Sequence, residues 1–204
     1  MLAKLIKYEF KATARVFLPA YLALLLVTVL GKVLLSIPPV QQLLNGAVAG
    51  IFVVIYTLFI IGVLFLTFFI SVQRFYRNLL GGEGYLMHTL PVKPSTHIWA
   101  KLITSSVWYV ASGVLVVAAI LLLAMNMESC QKLPEFIALF FEAMGRLGIH
   151  GWLLVVEVVV LILIEILSSI LMFYVSMGIG QLFGKQKLLG SILAYIGLTF
   201  VLQI

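Results

Sequence analysis

Apolar residues fill five long stretches of this chain, about 16–37, 46–72, 104–125, 151–183 and 188–204, and polar residues are confined to the intervals between them. A transmembrane helix needs about 20 apolar residues, with a range of roughly 17 to 25, so each stretch is read as one crossing. Pro38-Pro39 stops the first, and Pro-Pro-Val-Gln-Gln with Asn45 and Gly46 separates it from the second by a short turn. The fourth stretch would reach about 50 Å as one helix, more than a bilayer core requires. Dividing it into a hairpin would carry Lys185 and Lys187 to the other side of the membrane, so a single tilted crossing is expected. The fifth ends in Thr-Phe-Val-Leu-Gln-Ile with no polar tail, which leads us to expect truncation and at least one further segment in the intact gene product. The fold class predicted is an all-α integral membrane protein with about five transmembrane helices.

Three polar intervals remain. Residues 1–14 set Leu2, Leu5, Ile6 and Phe10 on one side of a helix and Lys4, Lys7 and Lys11 on another, followed by Arg15. A basic amphipathic helix of this kind lies in the headgroup plane as an interfacial elbow, with Pro19 marking a bend. The second interval, 73–101, starts on Arg74 and Arg77, breaks at Gly81-Gly82, carries a short amphipathic piece from Glu83 to Leu90, and is stopped by Pro91 and Pro94. Ser95-Thr96 is placed to cap the helix that follows. The third, 126–150, contains an amphipathic helix expected to start at Pro134, with Phe136, Phe140, Phe141 and Met144 on its apolar side.

Composition rules out a soluble enzyme. Of 204 residues 64% are hydrophobic and 10% charged, and the mean hydropathy is +1.23; a soluble domain keeps about a quarter of its residues charged. The net charge of +6 does not mark a nucleic-acid surface, because the basic residues gather at the ends of the apolar stretches. Lys4, Lys7, Lys11, Arg15, Arg74, Arg77, Lys93, Lys101, Lys185 and Lys187 fall on one side, against Lys132 and Arg146 opposite and Lys32 within a span. The positive-inside rule then places the N-terminus and 73–101 in the cytoplasm and 126–150 outside. The apolar run after the basic start is too long for a signal peptide and lacks a small-residue cleavage site, so it is read as retained.

Catalytic chemistry finds little material. The chain has no aspartate, which removes Asp-rich metal sites. Gly178 to Lys187 lacks the glycine spacing and hydroxyl residue of a nucleotide-binding P-loop. His88, His97 and His150 do not have metal-ligand spacing, Cys130 has no intrachain partner, and Ser112-Gly113 lacks the surroundings of an intramembrane serine protease. No catalytic residue, metal site or cofactor is expected in this chain. Charges inside the membrane are costly and need partners, which singles out Lys32, Glu157 and Glu165. Lys32 and Glu157 fall at similar depth and are expected to pair. Glu165, nearer the midplane, is expected to face a dimer interface or a cavity.

Arg74 to Ile103 resembles permease subunits of bacterial ABC transporters of the type-two exporter class, in their Gram-positive form. Phe-Tyr-x-Asn-Leu at 75–79, Gly-Glu-Gly-Tyr-Leu at 82–86 and Thr-Leu-Pro-Val at 89–92 carry the likeness, with weaker support from Gly-Gln-Leu-Phe at 180–183 and Lys-Tyr-Glu-Phe at 7–10. The resemblance implies an elbow helix over Leu2 to Ala14, six spans in a complete chain, and a coupling helix over Glu83, Gly84, Tyr85, Leu86, Met87, His88 and Leu90 that engages a separate ATPase. It implies two permease copies, as a homo- or heterodimer, in the bacterial plasma membrane, with ATP and Mg held only by the partner ATPase. The expected cargo is a hydrophobic or amphipathic molecule such as a peptide antibiotic, lipid or drug. Two other readings stay open: a non-transporting scaffold or immunity protein, and an ion-coupled secondary transporter using Glu165.

Overall fold

The computed structural model describes residues 2–36, 47–81, 93–125, 127–184 and 186–202, and every regular element among them is helical. In chain order these are α1 (Leu2–Ser36), α2 (Ala47–Phe75), a π-helical turn (Tyr76–Leu80), α3 (Pro94–Ala124), α4 (Met127–Leu147), α5 (Ile149–Gly180) and α6 (Lys187–Leu202). Among the described residues, four segments are long and apolar enough to cross a membrane: α1, α2 with its π turn, α3 and α5. The expected fifth crossing corresponds to α6, whose 16 residues span about 24 Å against a hydrocarbon core of about 30 Å.

Helix boundaries differ from expectation at three points. First, α1 passes unbroken through residue 15 and carries Pro19 in its interior; the proline removes the hydrogen bond to the carbonyl of Arg15 without ending the helix. The elbow expected over 1–14 is therefore continuous with the helix expected over 16–37. Second, α3 begins at Pro94, so Ser95 and Thr96 lie in its first turn, where a proline lacking an N–H is well placed. Third, α4 starts at Met127, with Pro134 inside it. Between α4 and α5, Gly148 takes a φ of +58°, a left-handed turn that glycine enters without the Cβ penalty other residues meet. The segment from 149 to 180 is one helix and not a hairpin.

Two compact units make up the chain, one of Met1–Phe17, Phe65–Val110 and Ile164–Ile204, the other of Leu18–Leu64 and Ala111–Leu163. The second unit packs Leu24 of α1, Tyr56 and Val63 of α2, and Val116 and Ala119 of α3 into one core. Hydroxyls tie it together: Tyr21 and Ser112 bond at 2.6 Å, and Thr28 reaches Tyr56 at 3.2 Å while donating to the Leu24 carbonyl. The first unit packs Phe75, Leu102, Ile170, Tyr174 and Met177, with the Phe75 and Tyr174 rings stacked at 3.7 Å.

Both units invert the usual arrangement of a soluble protein. Thr28 and Ser112 are fully buried and Thr67 and Ser176 nearly so, whereas Leu18, Leu22, Leu26 and Leu30 of α1 are each more than half exposed. Helices in lipid gain nothing by hiding leucine from hydrocarbon, so small hydroxyl residues take the contacts and large apolar ones face outward. Thr28 and Ser176 also bond the carbonyl four residues back, and so do the buried Ser71, to Thr67, and Thr104, to Ala100. These bonds satisfy the hydroxyls inside the helix contact.

Candidate functional site

The densest polar arrangement in the first unit gathers around Glu9. Along α1, Leu5, Glu9, Thr13 and Phe17 recur every fourth residue and share one face. Lys4, Lys7, Lys11 and Arg15 occupy the more exposed side of the same helix. The basic face expected from sequence is thus solvent- or headgroup-accessible, while the only acidic residue ahead of Glu83 points into the packing.

Two cations meet that carboxylate from two other helices. Arg74, in the last turn of α2, places Nε at 3.0 Å and Nη2 at 2.7 Å from Glu9 Oε2, and Lys101, in the second turn of α3, donates from Nζ to Oε1 at 2.7 Å. Side-chain exposure is 5% for Lys101, 12% for Glu9 and 29% for Arg74. With each carboxylate oxygen engaged by a charged donor in so dry a setting, the hydrogen bonds are of the strong, charge-assisted kind. Removing the carboxylate would take from both cations the countercharge they share, whereas removing either cation leaves a one-to-one pair.

One turn along α1, the Thr13 hydroxyl donates to the Glu9 carbonyl at 2.8 Å and accepts the Trp108 indole N–H of α3 at 2.8 Å. Phe17 stacks on Trp108 at 4.5 Å. The hydroxyls of Ser105 in α3 and Tyr174 in α5 approach to 3.2 Å, and Phe75 covers the Tyr174 ring. Within this unit, then, α1, α2, α3 and α5 are joined by polar and aromatic contacts that begin at Glu9. A cavity of about 340 Å³ borders the cluster, with Arg74, Lys101, Asn78 and His97 among its walls.

Arg74 and Lys101 also stand on the two stems of the interval expected to couple to a partner. After Phe75 the helix widens into a π turn closed by Gly81 N–H donating to the Tyr76 carbonyl at 2.7 Å. A Cβ at Gly81 would lie 2.9 Å from the Arg77 carbonyl oxygen, so only glycine fits this exit without displacing backbone. Turns of this kind concentrate at functional positions. The predicted coupling residues Glu83, Gly84, Tyr85, Leu86, Met87, His88 and Leu90 lie outside the described residues, as does Lys185.

The intramembrane charges are not brought together as expected. Lys32 Nζ donates to the Leu122 carbonyl oxygen of α3 at 2.7 Å, and Glu157 is exposed on α5; the predicted Lys32 to Glu157 pair is not formed. Lysine finds a main-chain acceptor near the end of α3, where the last carbonyls of a helix have no partner of their own. Lys32→Met and Glu157→Gln are therefore expected to be additive within about 0.5 kcal/mol, as read from the denaturation midpoints of both single variants and the double. A coupling energy above about 1 kcal/mol would restore the pair. Glu165 is likewise exposed, its carbonyl accepting a bond from Ser168 Oγ at 3.0 Å.

Charge spacing along α1 was the available signal for Glu9, since a lone acid on the face opposite four cations is out of place on a membrane-surface helix. Trp108 and Thr13 gave no such signal, being ordinary members of apolar and amphipathic runs. No family model, curated protein or solved structure matches the chain.

Proposed function

We propose that the chain is the membrane permease subunit of an ATP-driven exporter of the type-two ABC class, without catalytic residues of its own. The observation that carries this reading is the position of the Glu9 cluster: Arg74 and Lys101 hold the two stems of 82–92 to a common carboxylate on α1. In this reading a cytoplasmic ATPase grips Glu83 to Leu90, with Tyr85 and Leu86 as apolar anchors in a groove of the partner. Because the stems share Glu9, a push on the loop moves α2 and α3 with α1 and not one helix alone. ATP and Mg belong to the partner. The cargo is a hydrophobic or amphipathic molecule, in keeping with the apolar outward faces of the helices.

A second copy of the permease is part of the proposal, and α5 supports it. Only 6% of its most apolar stretch is buried, against 22% in α1 and α3, and Glu157 and Glu165 are exposed along it. Carboxylates in lipid are costly, so residues of this kind normally face a bundle interior or a partner.

The test is ATPase activity that copurifies with the tagged full-length chain from its native membrane. Expected is nucleotide hydrolysis that falls at least about tenfold with Leu86→Glu and persists with Glu165→Gln; transport lost only in Glu165→Gln would instead favour the proton-coupled carrier. Absence of copurifying hydrolysis, or labelling of a Gly82→Cys, Cys130→Ala chain only from outside the cell, would overturn the permease reading.

A further inference from the structure

The cavity beside the Glu9 cluster sets charged side chains, the Glu9 carboxylate included, in a largely apolar wall. At about 340 Å³ it has the room of about ten water molecules, and Arg74, Lys101, Asn78 and His97 are among the residues that line it. Arg74 gives the carboxylate only Nε and Nη2; its Nη1 makes no hydrogen bond among the described residues. A guanidinium with a free edge beside such a space is suited to an anion, phosphate oxygens above all.

The surroundings favour a lipid as the source of that anion. Tyr8 also lines the cavity and is 69% exposed, so the space reaches the surface of the helices through an amphipathic aromatic residue of the kind enriched where membrane meets water. The exposed side of α1 that flanks it carries Lys4, Lys7, Lys11 and Arg15, a cationic row that concentrates anionic lipid at the opening. Leu5 and Ala12, on α1, supply apolar wall beside the polar one.

We propose that this cavity binds the headgroup phosphate of an anionic phospholipid, with Arg74 as its principal ligand. The bound phosphate gives Arg74 a second anionic partner and so steadies the stem that carries it. The site is independent of any ATPase and of the identity of the cargo.

Native mass spectrometry of the full chain released from detergent, with phosphatidylglycerol and phosphatidylcholine supplied in equal amounts, reads the preference directly. Expected is retention of phosphatidylglycerol by about tenfold over phosphatidylcholine, equivalent to about 1.4 kcal/mol. Arg74→Gln should abolish the preference. Because that variant also loosens the cluster, Ala12→Leu serves beside it, filling the cavity while leaving every charge in place. Equal retention of the two lipids, or a preference unchanged in Ala12→Leu, overturns the proposal. Displacement of phosphatidylglycerol by millimolar inorganic phosphate overturns the lipid assignment in favour of a soluble-anion site.

Discussion

Glu9→Gln should cost about 3 kcal/mol of stability, the lower end of what removing one partner from a buried ion pair costs. The amide keeps the shape of the side chain but takes from Arg74 and Lys101 the carboxylate charge they share, Lys101 at 5% exposure having little access to water. Arg74, at 29% exposure, keeps part of its hydration, which moderates the loss. The decisive comparison is Glu9→Gln in a Lys101→Met background, where the more buried of the two cations is gone. Expected there is a penalty smaller by about 1 to 2 kcal/mol, a non-additivity characteristic of residues in one network. Equilibrium unfolding in detergent micelles measures all of the variants. Equal penalties in the two backgrounds would mean that Glu9 and Lys101 act independently and that the stems of 82–92 are not jointly held.

The second large effect is expected at the α5 to α6 junction. A Cβ on Gly180 would run into the Ser191 hydroxyl and sit 2.6 Å from the Ser191 backbone nitrogen and 2.8 Å from the Lys187 carbonyl oxygen. Two of these three atoms are main chain, so no rotamer change clears them, and α6 must retreat. Gly180→Val should destabilise by about 1 to 3 kcal/mol, as overpacking does. Gly178→Ala is the control: two residues away, with nothing within 4 Å of its Cβ, it exchanges glycine for a better helix former and should hold or gain up to about 1 kcal/mol. A shift of α6 also widens the cavity of about 530 Å³ between Phe173 and Met177 of α5 and Leu188 and Tyr195 of α6. Protection of Tyr195 from surface labelling, retained in Gly178→Ala and lost in Gly180→Val, would report that movement. Equal stability of the two variants would show that the junction has slack.

Much of the fold could be read from hydropathy alone because lipid imposes a single condition on long helices. The stretch expected over 46–72 corresponds to α2 at Ala47–Phe75, and 151–183 matches α5 at Ile149–Gly180 within three residues at either end. Boundaries failed where a local rule met a helix already under way. Pro134 marks a helix start only when nothing precedes it, and α4 had begun at Met127. Pro19 lies inside α1 without ending it, and the buried Phe17 and Leu24 fall before and after it in the same helix.

The site was less legible, and for a different reason. A basic residue at a helix end satisfies the positive-inside rule whether it faces headgroups or a carboxylate, so Arg74 and Lys101 counted toward topology and showed nothing of their convergence on Glu9. Lys32 drew attention as an ion-pair partner, yet a backbone carbonyl accepts its hydrogen bond, without the countercharge a glutamate would bring, and leaves no trace in side-chain composition. What sequence held, and spacing reveals in retrospect, was the four-residue recurrence of Leu5, Glu9, Thr13 and Phe17.

The widened turn over Tyr76–Leu80 has a consequence for how the chain tolerates change in length. Such a turn holds one residue more than an α-helical turn, so deleting one residue there would close it to ordinary α-helical width and leave Gly81 at nearly its present heading. Arg74 lies before that point and would stay on Glu9. The end of the stem thus carries a spare residue, which the helix can lose without turning away from its anchor.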